Sequence, residues 1–208
     1  MKQTIVFFDI DGVIFDAQKF FTDFCEEFVQ KNNLNKEEIF RLQNLYGEVK
    51  QEKGFFDPQA FLTRISIQYS VAKENLEKLW WDEQSFQKCL LIDENFLKQI
   101  QEKAIIGIFS KGEIYFQKKK IEKFNNIINS QDIYIFEDKI VKTNEVLLKY
   151  KDCKIYMVDD NKGVLESFKN ADNTVFTVLV DRKKTEIATK NVDAVTENVL
   201  QISSLLTD

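Results

Sequence analysis

The chain opens on an unbroken apolar run, Thr4-Ile5-Val6-Phe7-Phe8, which stops at Asp9-Ile10-Asp11-Gly12. Continuous rather than alternating hydrophobicity predicts a strand buried on both faces. After Asp16 the period changes. Phe20, Phe21, Phe24 and Phe28 share one helical face and predict a helix over about 17–31. Ile39, Leu42, Leu45 and Tyr46 mark a second helix. Asp57-Pro58 gives a third its N-cap and first residue, with Phe61, Leu62, Ile65 and Tyr69 on its buried side. Ser70 is expected to cap a fourth helix carrying Leu76, Leu79 and Trp80. Nothing between 17 and about 90 reads as a strand. From Asp93, itself an expected N-cap, helices alternate with short apolar runs. The expected strands are 104–109, 133–136, 154–158 and 175–180, with a last short one at 192–195 and a C-terminal helix.

Strands alternating with helices predict an α/β fold built on a doubly wound parallel sheet. The α-helical stretch 17–90 falls between the first strand and the rest. It is therefore expected to be an insertion, a separate domain set into an α/β core formed by 1–16 and 91–208. Its aromatic pairs, Phe20-Phe21, Phe55-Phe56 and Trp80-Trp81, either fill a small helical core or line a ligand.

Composition narrows the chemistry. A length of 208 residues, 44% hydrophobic and 30% charged, suits one core with an insert, and one Pro with six Gly excludes a low-complexity chain. The net charge of −5 argues against nucleic acid or an anionic membrane as partner. Cys25, Cys89 and Cys153 lack metal-ligand spacing and read as small core residues in a reducing compartment. Acids interrupt the N-terminal apolar run at Asp9, so no secretory segment is expected and the chain reads as cytoplasmic. The absence of histidine removes Ser-His-Asp and Cys-His catalysis and imidazole metal ligation. A catalytic metal would then be hard and oxygen-bound.

Two acids ending a buried strand require a cationic partner, because unpaired buried charge is costly. In doubly wound sheets the ligand binds beyond the carboxyl ends of the strands, at the switch point of the topology. Polar groups gather there: Asp9 and Asp11, Ser110 with Lys111, then Asp159 and Asp160. Lys139 and Lys142 follow the 133–136 strand. Carboxylates, a hydroxyl and a lysine at strand ends suit a Mg²⁺ and phosphate site.

These residues carry a resemblance. Phe7-Phe8-Asp9-Ile10-Asp11-Gly12-Val13-Ile14-Phe15-Asp16 resembles the first motif of the haloacid dehalogenase (HAD) superfamily, Ile108-Phe109-Ser110 its second, Lys142 its third and Val158-Asp159-Asp160 its fourth. The helical insert resembles the family's C1-type cap. The resemblance implies a Mg²⁺-dependent phosphatase acting on a small phosphorylated metabolite, as a monomer or homodimer. Asp9 would be the nucleophile and Asp11 the acid and base, its carbonyl also ligating Mg²⁺. Ser110, Lys111 and Gly12 would surround the phosphate, Gly12 by allowing a tight turn. Lys142 would balance the charge of Asp9, with Lys139 as its neighbour and rival. Asp159 and Asp160 would complete the metal site, either one as direct ligand. Asp16 would contact the cap. Lys142-Thr143 stands where the family often has Lys-Pro. Dehalogenation is disfavoured, because that branch lacks the second acid that Asp11 supplies. A β-phosphoglucomutase-like mutase and a catalytically idle binding protein are the alternatives.

Overall fold

Six strands pair in parallel in the computed structural model, which describes residues 2–206. They are β1 (Thr4–Phe8), β2 (Ile105–Lys111), β3 (Ile133–Phe136), β4 (Lys154–Asp159), β5 (Phe176–Val180) and β6 (Ala194–Thr196). The sheet order is β3-β2-β1-β4-β5-β6, the doubly wound order. β1 is central, with Phe8 opposite Ile108 on one side and Val158 on the other. Its pleat divides the core. Val6 and Phe8 join one buried cluster with Ile106, Ile108 and Val158, while Ile5 and Phe7 join another with Phe109 and Met157.

Six helices lie between β1 and β2: α1 (Ala17–Lys31), α2 (Glu37–Lys53), α3 (Pro58–Tyr69), α4 (Lys73–Trp80) and α5 (Glu83–Lys88), which make up the insert, and then α6 (Glu94–Gln101), which leads into β2. Four more follow β2: α7 (Ile114–Ile121), α8 (Thr143–Lys149), α9 (Lys162–Ala171) and the short α10 (Ile202–Leu205). Asp16, Asp57 and Asp93 each accept a backbone N–H at the start of α1, α3 and α6, from Lys19, Ala60 and Phe96. Ser70 does not cap α4. It closes α3 in the left-handed region at φ 52°, and Ala72 precedes α4 with no side-chain cap.

The insert enters and leaves side by side. Asp16 N–H donates to Cys89 C=O, and Leu91 N–H donates to Ile14 C=O, both at 2.8 Å. The insert's aromatic residues converge on Trp80, whose ring centroid lies 5.1 Å from Phe20, 4.8 Å from Phe24 and 5.5 Å from Phe116 of α7. Phe116 ties the helical block to the sheet layer, and one continuous hydrophobic cluster includes both. No helix among the described residues is long and apolar enough to cross a membrane.

Candidate active site

The strand order reverses direction beside β1, and the carboxyl ends of β1 and β4 meet there. Asp9 N–H donates to Val158 C=O at 2.9 Å, which continues the β1–β4 pairing by one residue and sets Asp9 beside Asp159. Carboxylate oxygens of Asp9, Asp159 and Asp160 all lie within 4.8 Å of one another. Asp9 is 6% exposed and Asp159 fully buried. Such a cluster of acids is unstable without a counter-charge.

Lys139 supplies it. Its Nζ donates to Asp159 Oδ2 at 2.6 Å and lies 3.0 Å from Asp9 Oδ1, an ion-pair contact outside hydrogen-bond geometry. Burial alone would pull Lys139 down, but the charges of Asp9 and Asp159 outweigh it and hold its pKa above the usual lysine value. Burial, reinforced by Asp9, pushes Asp159 up against the opposing pull of Lys139. Asp160 sits at the rim, open to solvent yet dehydrated where it leans over Gly12. That partial dehydration, then the charges of Asp9 and Asp11, raise its pKa to about 6.

Lys142, the lysine expected here, is corrected to Lys139. Lys139 precedes the single 3₁₀ turn Ile140–Lys142, whereas Lys142 closes it, roughly 6 Å further along the axis. There Lys142 pairs with Glu145 at 2.8 Å, with both side chains well exposed.

After Asp9 the chain folds back tightly. Ile14 and Phe15 N–H groups donate to Ile10 C=O, and Gly12 N–H to Phe15 C=O. Gly12 has φ +81°, and a Cβ there would stand 2.2 Å from Asp160 Oδ2, so no other residue fits without moving that acid. Ser110 ends up on β2 beside β1, 1% exposed, with its Oγ lacking any partner. Asp9 Oδ1 makes no geometric hydrogen bond and is met by the Lys139 ammonium alone, at 3.0 Å. Buried polar atoms rarely stay unsatisfied. Three clustered carboxylates form the donor set that a hard divalent cation takes. Lys111 is exposed, and its carbonyl accepts from Gln117 Nε2 at 2.9 Å. Asp16 accepts from Arg182 at 2.6 Å, linking the start of α1 to the segment after β5.

Asp11 is not part of the acid cluster. Lys120 Nζ donates to its Oδ1 at 2.6 Å and Gln117 Nε2 to its Oδ2 at 2.9 Å. Burial lowers the pKa of Lys120, and the charge of Asp11 opposes that fall. Neither α7 residue was anticipated from sequence. A signal existed: Phe116, Gln117, Lys120 and Ile121 fall on one helical face, so two polar residues share the apolar side. Asp11 and Gly12 open onto a cleft of about 820 Å³ bordered by Asp160 and Arg182.

No family model and no curated protein matches the sequence. Solved structures do match across the whole chain. A haloacid dehalogenase-like protein of Burkholderia xenovorans superposes with a TM-score of 0.74 at 17% identity, covering 98% of each chain. This chain has the haloacid dehalogenase-like fold. The HAD protein YfnB of Bacillus subtilis, solved with bound magnesium and showing interdomain movement, gives 0.66 at 14% identity over 100% of each chain. The defluorinating L-2-haloacid dehalogenase Rha0230 gives 0.68 at 12% identity, covering 98% of this chain and 95% of its own. At these identities the likeness to HAD proteins is one of fold.

Proposed function

We propose that this protein is a Mg²⁺-dependent phosphatase that hydrolyses a small phosphate monoester through an aspartyl-phosphate on Asp9. The observation that carries the reading is the buried Ser110 Oγ, which has no partner, facing the site where Lys139 is ion-paired with Asp9 at the end of the neighbouring strand. An anionic tetrahedral group offers acceptors to Ser110 and Lys139 and an electrophile to Asp9.

In the first half-reaction a carboxylate oxygen of Asp9 attacks phosphorus, the ester P–O bond breaks, and Asp11 gives its proton to the departing oxygen. In the second, Asp11 takes a proton from water as that water attacks the aspartyl-phosphate, releasing inorganic phosphate and restoring Asp9. Ser110 holds a phosphoryl oxygen, and Lys139 offsets the charge that gathers around Asp9. Asp9, Asp159 and Asp160, with the Asp11 carbonyl, would hold Mg²⁺, which supplies charge neutralisation between an anionic substrate and an anionic nucleophile. The helices of 17–90 serve as a cap over this site. The acidic net charge suits a small metabolite rather than nucleic acid or a membrane surface. Three unpaired cysteines fit a cytoplasmic enzyme, working as a monomer or homodimer.

The presence of Asp11 favours hydrolysis of phosphate esters over dehalogenation, since proton delivery to an ester oxygen needs a second acid. The test is a turnover screen with Mg²⁺ over small phosphate monoesters and 2-haloacids, scoring phosphate, halide and isomerised product. Phosphate release alone is expected. Halide release, or an isomerised sugar phosphate with no free phosphate, would overturn the reading.

Metal binding has a readout apart from turnover. Mg²⁺ at a hundred times its dissociation constant should stabilise the fold by about 2.7 kcal/mol, and Asp159→Asn should abolish the effect. Asp160 must be ionised to bind, so the Mg²⁺-induced rise in Tm should shrink as pH falls from 7.5 to 5, through its pKa of about 6. Without metal the same group has the opposite consequence. Its folded pKa lies above the ordinary value of 3.8, so the folded state binds the extra proton and stability declines as pH rises from 3.8 towards about 6. A Tm response to Mg²⁺ that is the same at both pH values would count against Asp160 as a ligand.

A further inference from the structure

We propose that Gln117 and Lys120 clamp the Asp11 carboxylate at both oxygens, making Lys120 a positioning residue for proton delivery to the leaving group. The proposal rests on the phosphatase reading for its chemistry and on α7 for its geometry. Gln117 and Lys120 stand one turn apart on α7, which lies directly after Ser110-Lys111-Gly112. Lys120 binds Oδ1 and Gln117 binds Oδ2, so each oxygen has its own donor.

The clamp is itself held. A second bond from Gln117 Nε2 runs to Lys111 C=O at 2.9 Å, anchoring the amide to the end of β2. Gly112 makes room for it: φ is +150°, and a Cβ there would stand 2.6 Å from Gln117 Nε2. The Lys120 side chain is 2% exposed, with its Nζ 4.0 Å from the centroid of the Phe116 ring and 5.5 Å from that of Phe15. An ammonium is costly to bury on the apolar side of a helix, where Leu or Met would pack without penalty. Its carboxylate partner, by contrast, is 37% exposed and would turn freely about two torsions if released. Asp9 and Asp159, the nearby acids, already share Lys139. The buried cation therefore acts on the orientation of Asp11. Asp11, Gln117 and Lys120 also border a small cavity of about 30 Å³, closed on the insert side by residues including Phe56 and Trp80. The clamp thus fixes the carboxylate at the junction between the sheet and the helical insert.

The experiment compares kcat/KM for phenyl phosphate and p-nitrophenyl phosphate. The two esters have similar shape, but only the first releases an oxygen basic enough to need a proton. Because kcat/KM covers the steps through ester cleavage, later hydrolysis of the intermediate does not enter. Lys120→Met should lower kcat/KM for phenyl phosphate about a hundredfold, the scale of a misplaced catalytic group. The effect on p-nitrophenyl phosphate should stay within about threefold, and Lys120→Arg should restore most of the loss. Equal losses on both esters, or none, would overturn the proposal, since a purely structural lysine does not distinguish leaving groups. A crystal structure of the Lys120→Met protein is an independent test. An Asp11 carboxylate displaced from Gln117 supports the clamp, and one left in place refutes it. If the wild-type protein hydrolyses neither ester, that structure still decides whether Lys120 orients Asp11, and the phosphatase reading stands or falls separately on the monoester screen.

Discussion

The Lys139→Met protein should be about 3–5 kcal/mol less stable than the wild type, because the substitution leaves two buried carboxylates without their cation. Lys142→Met should differ from the wild type by no more than about 0.5–1 kcal/mol, the scale of an exposed ion pair. The two lysines are three positions apart and chemically identical, so the contrast isolates location. Lys139 contacts Asp9 and Asp159 with 6% of its side chain exposed, whereas Lys142 meets only the exposed Glu145 and the ring of Phe136. For a domain of this size the larger loss corresponds to a fall in Tm of roughly 6–20 °C. Urea unfolding of both variants without added metal, read by circular dichroism, makes the measurement. Equal effects at the two positions would remove Lys139 from the centre of the acid cluster.

Asp9→Asn has the opposite profile. Turnover of a phosphate monoester should fall by about 10⁴-fold or more, the scale seen when a nucleophile is removed. Stability should hold or rise, because two buried carboxylates share one ammonium and the amide removes one of the two charges. The combination separates a nucleophile from a structural acid. Residual turnover above about a hundredth of the wild-type rate would exclude Asp9 as nucleophile. A Tm lowered by many degrees would instead mark it as structural.

The architecture was legible in the sequence because the apolar pattern changes period at the element boundaries. The continuous run of β1, the apolar run of β4 and the Phe20-Phe24-Phe28 face of α1 lie within a residue or two of their expected limits. Side-chain capping was legible at Asp57 and Asp93, where the chain supplies an acid at a break in pattern, and misleading at Ser70. There Ser66 C=O accepts the Ser70 and Val71 N–H groups, making the serine the end of one helix rather than the start of the next. The acids at the ends of β1 and β4 were legible because a strand's last residue is fixed by its register. The choice of Lys139 over Lys142 was not. It depends on where a four-residue strand releases the chain and on a 3₁₀ turn, and neither leaves a periodic mark. Lys120 was hidden among Lys118, Lys119 and Lys120, a run that reads as a solvated face until its helical phase is fixed by Phe116.

The central position of β1 also bears on how the protein is made. Thr4 pairs with Lys154, 150 residues further along the chain, and Ile5 pairs with Ile105. At ribosomal rates of about 5–20 residues per second, β1 waits roughly 8–30 s for its second neighbour. Until β2 emerges Ile5-Val6-Phe7-Phe8 is an uncharged, β-prone segment with both edges unpaired, and until β4 emerges one edge stays open, the kind of segment that recruits other nascent chains. The five helices of the insert, α1–α5, are made before β2, depend on contacts close in sequence and can pack first. Yield on expression should therefore be set less by the stability of the finished fold than by how well the emerging first strand is shielded until the middle of the sheet arrives.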